Sequence, residues 1–352
     1  MKKTTRLFMS LLAMALLLSF QISFGSAHAQ KKNKKQQESI TISAAGDCTF
    51  GSDRCSPTSV NFYSVYNRVQ NPAYFFKNVR EYFEKDDLTI VNFEGTLTKR
   101  TTRADKTFAF RGAPRYIRIL KEAHIEAVAF ANNHCRDFGS GSYTDTIDVF
   151  KAKQIIYSSY SKVGIYKTDG RKIGMISVNG LEGVSKARSE ISSGIKKLKE
   201  KDVDLIIVSM HAGIEKTSVV DDTQVAIAHY AIDKGANLVL GHHPHVLQRI
   251  ARYKGKYIVY SLGNFCFGGN TNPSDKDTMI FQQTFTFKGK KLRKNTTARI
   301  IPCSVSSPTS INNYQPTPLK GSAKKRVISR LNRYSKNYHV HITRKGYIKN
   351  PC

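Results

Sequence analysis

Short apolar runs alternate along most of the chain with longer segments whose apolar residues recur at helical spacing. The apolar runs predict strands at 40–45, 88–93, 127–131, 172–178, 205–210 and 238–240. The segments between them predict helices at about 74–85, 114–123, 143–153, 186–200 and 222–234. Because this alternation is typical of proteins in which helices cover a largely parallel sheet, the pattern predicts an α/β fold. The last third is richer in strands, predicted at 257–262, 279–287 and 297–301.

The N-terminal segment has the pattern of a secretory signal peptide. Three basic residues precede an apolar run at 7–20, and a small-x-small pattern follows at 27–29. The run is shorter than the roughly 20 residues that a membrane-spanning helix needs, which favours cleavage after Ala29 over an uncleaved anchor. We therefore predict a signal peptide at 1–29, a basic polar linker at 30–37, and an exported protein that is extracellular or associated with the cell envelope.

Composition and charge narrow the possible classes of protein. The chain has 352 residues, of which 40% are hydrophobic, and a formal net charge of +30. The apolar fraction excludes a wholly disordered protein. The basic excess lies at the two ends, since residues 1–35 and 278–352 contain no acidic residue. Such an excess favours an anionic partner, and export makes nucleic acid an unlikely one.

The six cysteines do not form a known metal or redox motif. No Cys-x-x-Cys pair occurs, which argues against a zinc ribbon or a thioredoxin-type site. Export would permit disulfides. Cys48 with Cys55 and Cys303 with Cys352 are two pairings that the sequence leaves open.

Polar residues suited to metal binding follow several predicted strands at the point where each strand ends. They are Asp47, Glu94, Asn133 with His134, His211, and the pair His243 and His245. In open α/β sheets the functional site lies beyond the carboxyl ends of the strands, so we expect these side chains to meet at one edge.

This set of residue types points to transition-metal chemistry. Carboxylate, amide and imidazole ligands together favour Mn, Fe or Zn over calcium, which takes oxygen ligands. A carboxylate that bridges two ions would give a two-metal site, which activates water and stabilises the attacking and leaving oxygens. The spacing of His243 and His245 predicts that both imidazoles lie on one side of an extended segment.

Six motifs in this order identify a family. They are GDCTFG at 46–51, NFEGTLT at 92–98, FANNHCRDFG at 130–139, HAGIE at 211–215, GHHPHV at 241–246 and YSLGNF at 260–265. They resemble the bacterial capsule-synthesis CapA proteins, which are associated with poly-γ-glutamate capsules and belong to the calcineurin-like metallophosphatase superfamily. The resemblance implies a CapA-like metallophosphatase domain at 38–319 and leaves a basic extension at 320–352.

The resemblance also implies a fold and a set of site residues. The fold would be a four-layer α/β/β/α metallophosphatase-like sandwich with the metals at its rim. The implied metal ligands are Asp47, Glu94 as the bridging carboxylate, Asn133, His211, His243 and His245. His134 would protonate a leaving group or hold the substrate, and Asp137 would orient His134. Glu215 and Asn264 match motif positions and would support the site, whereas His242 receives no role.

The functional expectation is an exported CapA-like protein of capsule or poly-γ-glutamate biosynthesis with two divalent metal ions in a hydrolase-type site. A non-catalytic surface module that binds a polyanion is one alternative, and a phosphodiesterase that acts on envelope phosphopolymers is another. The expected partners are poly-γ-glutamate or teichoic acid and membrane-bound capsule-synthesis components, not nucleic acid. Five basic residues, at 324, 325, 326, 330 and 333, lie partly on one helical face and favour a polyanion contact.

Overall fold

The computed structural model describes residues 38–53, 56–294 and 297–349, so the predicted signal peptide and linker lie outside it. In chain order, the strands within these ranges are β1 Ser39–Thr49, β2 Leu88–Phe93, β3 Thr96–Leu97, β4 Arg111–Gly112, β5 Ala127–Ala129, β6 Ile156–Ser158, β7 Gly164–Thr168, β8 Arg171–Asn179, β9 Leu205–His211, β10 Leu238–His242, β11 Ile250–Tyr253, β12 Lys256–Val259, β13 Asn264–Phe267, β14 Asp277–Lys288, β15 Lys291–Leu292, β16 Thr297–Ser304, β17 Thr317–Pro318, β18 His341–Ile342 and β19 Ile348–Lys349. The α-helices are α1 Phe62–Val69, α2 Arg80–Phe83, α3 Arg118–Glu122, α4 Ser140–Ala152, α5 Val184–Glu200, α6 Asp222–Lys234 and α7 Gly321–Ser335.

Two mixed sheets form the centre of the molecule. The first has the order β17-β16-β14-β1-β2-β5-β6, with β13 also paired to β1, and the second has the order β11-β12-β10-β9-β8-β7. In the first sheet β1, β2, β5 and β6 are parallel, and in the second β8, β9, β10 and β12 are parallel. Each sheet therefore brings the carboxyl ends of several strands to one edge.

Three apolar clusters show how the layers pack. Side chains of both sheets, including Ile42 and Leu240, share one buried cluster, so the sheets face each other. The other face of the first sheet packs against α1, α3 and α4 through residues such as Phe150. The other face of the second sheet packs against α5 and α6 through residues such as Ile191 and Ile227. This arrangement confirms the predicted four-layer α/β/β/α sandwich.

Local sequence explains where the helices of the second sheet begin and how closely they pack. Asp221 and Gln224 form a reciprocal capping box at the start of α6, which satisfies backbone donors that the helix cannot pair. On α5, a Cβ atom at Gly194 would come within 2.8 Å of the Ile176 side chain on β8. Glycine at that position therefore lets α5 approach the sheet closely.

The predicted helix at 74–85 is wrong in extent. The chain instead forms a 3₁₀ turn at Pro72–Tyr74 and the short helix α2, with turns between them. Asn78 explains part of the break, because its amide donates to the side chains of Ser307 and Thr317 rather than facing solvent on a regular helix. The helix α1, which the sequence pattern did not predict, precedes this segment.

The described part of the predicted C-terminal extension packs on the sandwich. Helix α7 buries Val327 and Leu331 in the cluster that lies between the two sheets, and Ile342 and Ile348 join the same cluster. The backbone N–H of Ile300 on β16 also donates to Gly346. The segment therefore adds to the core that the two sheets share.

The described cysteines are buried as free thiols at 48, 135, 266 and 303, whereas Cys55 and Cys352 lie outside the described residues. The two suggested disulfides therefore stay predictions. Among the described helices, none is both long enough and apolar enough to cross a bilayer.

Candidate metal centre

Asp47 lies at the carboxyl end of β1, where the chain departs from regular pairing. The strand register shifts between Ala45 and Asp47. A Cβ atom at Gly46 would come within 1.9 Å of the Gly263 carbonyl, so only glycine permits this approach, and the Asp47 N–H donates to the same carbonyl at 2.9 Å. The Asp47 carboxylate is therefore fully buried where β1 pairs with both β2 and β13.

Glu94 follows β2 and is also fully buried. Asn92, two residues earlier, joins the two carboxylates, because its amide nitrogen lies 2.8 Å from Asp47 Oδ1 and 3.3 Å from Glu94 Oε2. Asn132 holds Asn92 in turn by donating to its Oδ1 at 3.2 Å. The sequence pattern gave no reason to select Asn92, which lies inside a strand.

The two carboxyl groups differ in protonation behaviour. Burial raises the pKa of Glu94 well above its usual value, although His245 opposes this effect. Burial would also raise the pKa of Asp47, but hydrogen bonding to His242 and His245 outweighs it and holds the pKa well below its usual value. Asp47 is therefore an anion surrounded by imidazoles, as expected of a metal ligand.

The histidines after β9 and β10 approach these carboxylates from the second sheet. His211 ends β9, and its Nε2 lies 2.8 Å from Asn133 Oδ1. His243 and His245 do not lie on an extended segment as predicted. They occupy a bend with φ of 99° and 60°, and their ring centroids are 5.9 Å apart. Positive φ is costly for residues with side chains and is concentrated at functional sites.

His245 contacts the largest number of neighbouring polar groups in this bend. Its Nδ1 lies 2.9 Å from Asn264 Oδ1 and 3.2 Å from Asp47 Oδ2, and its Nε2 lies 3.7 Å from Glu94 Oε1. Burial alone would lower the pKa of His245, but the charges of Glu94 and Asp47 raise it to about 9. The raised pKa favours a protonated, positively charged His245. A metal ion bound at this position would have to displace that proton.

His242, to which the sequence assigned no role, lies beside Asp47. Its Nδ1 lies 3.3 Å from Asp47 Oδ1, on the opposite carboxylate oxygen from His245. The ring is buried, and its Nε2 has no hydrogen-bond partner within the described chain. The alternation argument missed His242 because it assumed that the strand continued beyond it.

The residues present fit a bound cation on two observations. Donor atoms of Asp47, Glu94 and His245 lie within 4.8 Å of one another, and so do those of Glu215, His243 and His245. Glu94 Oε1 and His243 Nδ1 are buried without a hydrogen-bond partner in the described chain. Unpaired buried acceptors are rare in native proteins, and a metal ion would satisfy them.

The two donor groups share His245 and contain four of the six predicted metal ligands. Asn133 and His211 lie beside these groups and pair with each other. Glu215, predicted only as a supporting residue, belongs to one of the groups and is exposed. The structure thus brings all of the predicted residues to one edge.

His134 and Asp137 form a separate hydrogen-bonded unit beside the donor groups. His134 Nδ1 lies 2.7 Å from Asp137 Oδ2, and its Nε2 lies 3.7 Å from Glu94 Oε1. Phe110 covers the ring, with centroids 4.4 Å apart. Burial lowers the pKa of His134, although Asp137 opposes it. The pair confirms the predicted contact between His134 and Asp137, while their catalytic roles stay predictions.

Lys106 completes this unit and was not selected from the sequence. Its Nζ donates to Asp137 Oδ1 and to the Asn133 carbonyl, each at 2.9 Å, and lies 3.3 Å from His134 Nδ1. Lys106 lies in a loop without periodicity, so no pattern in the sequence could have placed it.

A known protein family matches the part of the chain that contains this site. The family described as bacterial capsule synthesis protein PGA_cap matches residues 41–269, well over half of the chain. The chain belongs to the PGA_cap family. Its match includes every residue of the two donor groups.

Relatives of this PGA_cap chain include two bacterial proteins named CapA. The capsule biosynthesis protein CapA of Bacillus anthracis is 29% identical over 73% of this chain and 66% of its own length. The PGA biosynthesis protein CapA of Bacillus subtilis is 28% identical over 94% of this chain and 87% of its own length. A probable polyglutamine synthesis accessory protein of Mycobacterium tuberculosis is 28% identical over 51% and 55%.

In this PGA_cap chain, a cavity of about 310 Å³ opens beside the donor groups. His134, Glu215 and His245 line one side of it. Three phenylalanines, at 108, 110 and 267, and the cations Lys216 and Arg330 line much of the rest. Aromatic walls with Lys216 near the donors suit an anionic substrate that also presents apolar groups.

Proposed function

We propose that this chain is an exported CapA-like protein of poly-γ-glutamate capsule or envelope-polymer biosynthesis and carries a metal-dependent hydrolase-type site. The observation that carries the proposal is the pair of donor groups that share His245 at the carboxyl edge of the two sheets. The name of the Bacillus anthracis relative supports a role in capsule biosynthesis, and that of the Bacillus subtilis relative supports PGA as the polymer. Membrane-bound components of capsule synthesis are the proposed protein partners.

Asp47, Glu94 and His245 would hold one ion, and Glu215, His243 and His245 would contribute to a second. Mixed carboxylate and imidazole ligands suit Mn, Fe or Zn. When bound, such ions act as Lewis acids toward a phosphoryl or acyl oxygen. Asn92, which contacts both carboxylates, keeps them in a fixed relative position.

The protein's own acid–base group would be His134. Its Nδ1 faces Asp137, so its Nε2 is the nitrogen available toward the cavity side and Glu94. Asp137 fixes the ring orientation, and Lys106 fixes Asp137. We propose that His134 Nε2 exchanges a proton with the leaving group or with the attacking nucleophile. Phe110 shields the ring from water.

Metal analysis combined with turnover tests the enzyme proposal. Purified protein should contain stoichiometric transition metal and cleave bis(p-nitrophenyl) phosphate. Asp47→Ala and His243→Ala should lose both properties. His229→Ala is the matched control, because His229 stacks on Tyr253 away from the donor groups. Wild-type protein that binds no transition metal would contradict the proposal.

The second candidate function is a non-catalytic module that holds an anionic polymer. The net charge of +30 and a cavity of about 440 Å³ that is lined by five lysine and arginine side chains favour it. It predicts that Asp47→Ala and His134→Ala both restore the capsule of a deletion strain. The enzyme proposal predicts that neither variant does. A phosphodiesterase of envelope phosphopolymers would instead show turnover of teichoic acid in substrate profiling.

Export is tested separately. N-terminal sequencing of protein recovered from the culture medium or the envelope fraction should begin at Gln30. A chain that begins at Met1 would show that the segment is kept as an anchor or that export does not use it.

A further inference from the structure

A second cavity lies at the other end of the sheets. Its volume is about 440 Å³. We call it the basic groove, and its cationic lining consists of Arg252, Lys254, Lys256, Arg293 and Lys294. The first three come from the β11–β12 hairpin of the second sheet, and the last two follow β15 beside the first sheet. The groove therefore lies where the ends of the two sheets meet.

The basic groove is distinct from the candidate metal centre. Asn237, which precedes β10, lines the groove, whereas His243 follows β10 and belongs to a donor group. The five residues of β10 separate the two positions by about 17 Å at 3.3 Å per residue. A ligand in the groove would therefore not contact the metal donors.

Charge in the groove is poorly balanced. No lining residue within the described chain is acidic. Lys254 pairs with Asp233 outside the lining, at 2.5 Å. Among the described residues, no carboxylate lies within ion-pair distance of Lys256, Arg293 or Lys294. These cations thus converge on a concave surface without matching anions of their own.

The lack of a counter-charge affects the pKa of Lys256. Its side chain is half-buried, and burial alone lowers its pKa, with no acidic group to oppose the effect. A partly buried cation without a counter-charge is destabilising, and an anionic ligand would remove that cost.

The floor of the groove is less polar than its walls. Phe285 and Leu292 line it together with the amide residues Asn237 and Gln283. A ligand that carries carboxylates separated by methylene and amide groups matches both the walls and the floor.

We propose that the basic groove binds a segment of a polycarboxylate chain of the poly-γ-glutamate type. This rests on the proposed function for the choice of polymer, while the groove itself rests on its own residues. If so, the molecule has a polymer-binding site that is separate from the candidate metal centre.

Helix α7, the other basic segment, is less suited to this role. Arg330 pairs with Asp275 at 2.6 Å and with Asp277 at 3.0 Å, and Arg326 pairs with Asp277 as well. These two arginines are neutralised within the protein. The remaining α7 lysines, Lys324 and Lys325, therefore provide a matched control for the groove.

The test measures binding of fluorescently labelled poly-γ-glutamate by anisotropy at 50, 150 and 300 mM NaCl. We expect Lys256→Gln/Arg293→Gln to weaken binding about tenfold or more and to reduce its salt dependence. We expect Lys324→Gln/Lys325→Gln, with the same loss of charge, to change binding less than about twofold. Equal effects of the two double variants, or a larger effect on α7, would overturn the proposal.

Two further binding measurements distinguish failure of the groove proposal from failure of the enzyme proposal. Asp47→Ala should bind poly-γ-glutamate like wild type, because the groove does not contact the metal donors. Wild-type protein that binds no transition metal but binds poly-γ-glutamate through the groove would refute the enzyme proposal and keep this one. Polyphosphate that binds more tightly than poly-γ-glutamate and depends on the same two residues would overturn the polycarboxylate assignment. Thermal unfolding midpoints equal to that of wild type show that the variants are folded.

Discussion

His245 Nδ1 lies 3.2 Å from Asp47 Oδ2, which links the bend after β10 in the second sheet to the end of β1 in the first. The contact closes the sandwich at the edge where the candidate metal centre lies. Because His245 also belongs to both donor groups, a change at this residue should affect both groups at once.

The shared position of His245 leads to a graded prediction for metal binding. His245→Ala removes a donor from both groups, whereas Glu215→Gln removes a charged donor from one. We expect His245→Ala to abolish stoichiometric metal and Glu215→Gln to lose about half of it, with affinity for the remaining ion within about tenfold of wild type. Mass spectrometry of metal content after equilibration with Mn²⁺ checks this.

His229→Ala serves as the control and should keep the full metal content. Loss of all metal in Glu215→Gln would show that the two groups do not bind ions independently. Full metal content in His245→Ala would show that His245 is not a ligand.

The Asp137 carboxylate should be important for stability as well as for the site. It accepts from Lys106 Nζ at 2.9 Å and from the Phe110 N–H at 2.6 Å, and it contacts His134 at 2.7 Å. Asp137→Ala would leave a largely buried cation and a backbone donor unpaired. We expect the free energy of unfolding in urea to fall by about 3 kcal/mol.

Asp148→Ala is the matched control, because Asp148 pairs with Lys151 on the exposed surface of α4. It should leave the unfolding midpoint unchanged. An equally small effect at Asp137 would mean that water replaces its three contacts at little cost.

The sequence was most informative where regular structure determines position. Asp47, Glu94 and His211 follow or end buried parallel strands, so the common edge of those strands brings them together. Prediction failed where the backbone leaves regular structure. The bend at His243 and His245 depends on positive φ values, and it places His242 against Asp47 in a way that no periodicity encodes.

Long-range side-chain contacts also could not be predicted from the sequence. Lys106 reaches Asp137 from an irregular loop, and Asn92 reaches both carboxylates from within a strand that reads as part of the core. Neither residue has a local pattern that marks it. Their positions depend on how separate segments pack, which a single sequence does not show.

Arg330 should connect α7 to the rest of the molecule. Its guanidinium contacts Asp275 and Asp277, and its side chain is only 18% exposed, so these ion pairs are shielded from solvent. We expect Arg330→Gln to lower the free energy of unfolding by about 2 kcal/mol.

Arg333→Gln is the control, since within the described chain the contact of Arg333 is with the Tyr334 ring and not with an acid. It should leave the free energy of unfolding unchanged. If both variants behave alike, the ion pairs of Arg330 contribute nothing beyond the helix itself.

Two half-buried carboxyl groups, which lie just before β2 and β5, should make stability depend on pH. Burial raises the pKa of Asp86 and of Glu126 to about 7. Both groups contact Thr89, whose N–H donates to Glu126 Oε2 at 2.8 Å and whose hydroxyl donates to Asp86 Oδ2 at 2.7 Å. Asp86 Oδ1 is buried without a hydrogen-bond partner in the described chain.

The sign follows from proton linkage. Because the folded-state pKa lies above the unfolded value of about 4, the folded chain binds more protons between pH 4 and 7. The free energy of unfolding should therefore fall as the pH rises through this window. Asp86→Asn resembles the protonated form, so we expect it to match wild type near pH 4 and to exceed it by on the order of 1 kcal/mol at pH 8.

Urea unfolding of wild type and Asp86→Asn at pH 4, 6 and 8 checks this expectation. Asp105→Asn, at an exposed carboxyl, is the control and should follow wild type at each pH. A variant that is less stable than wild type at pH 8 would mean that the Asp86 anion is stabilised by a cation or a water molecule at its Oδ1. In that case, stability at this end of the sheet depends on the partner of the buried Asp86 Oδ1 and not on protonation of the Asp86 carboxyl group.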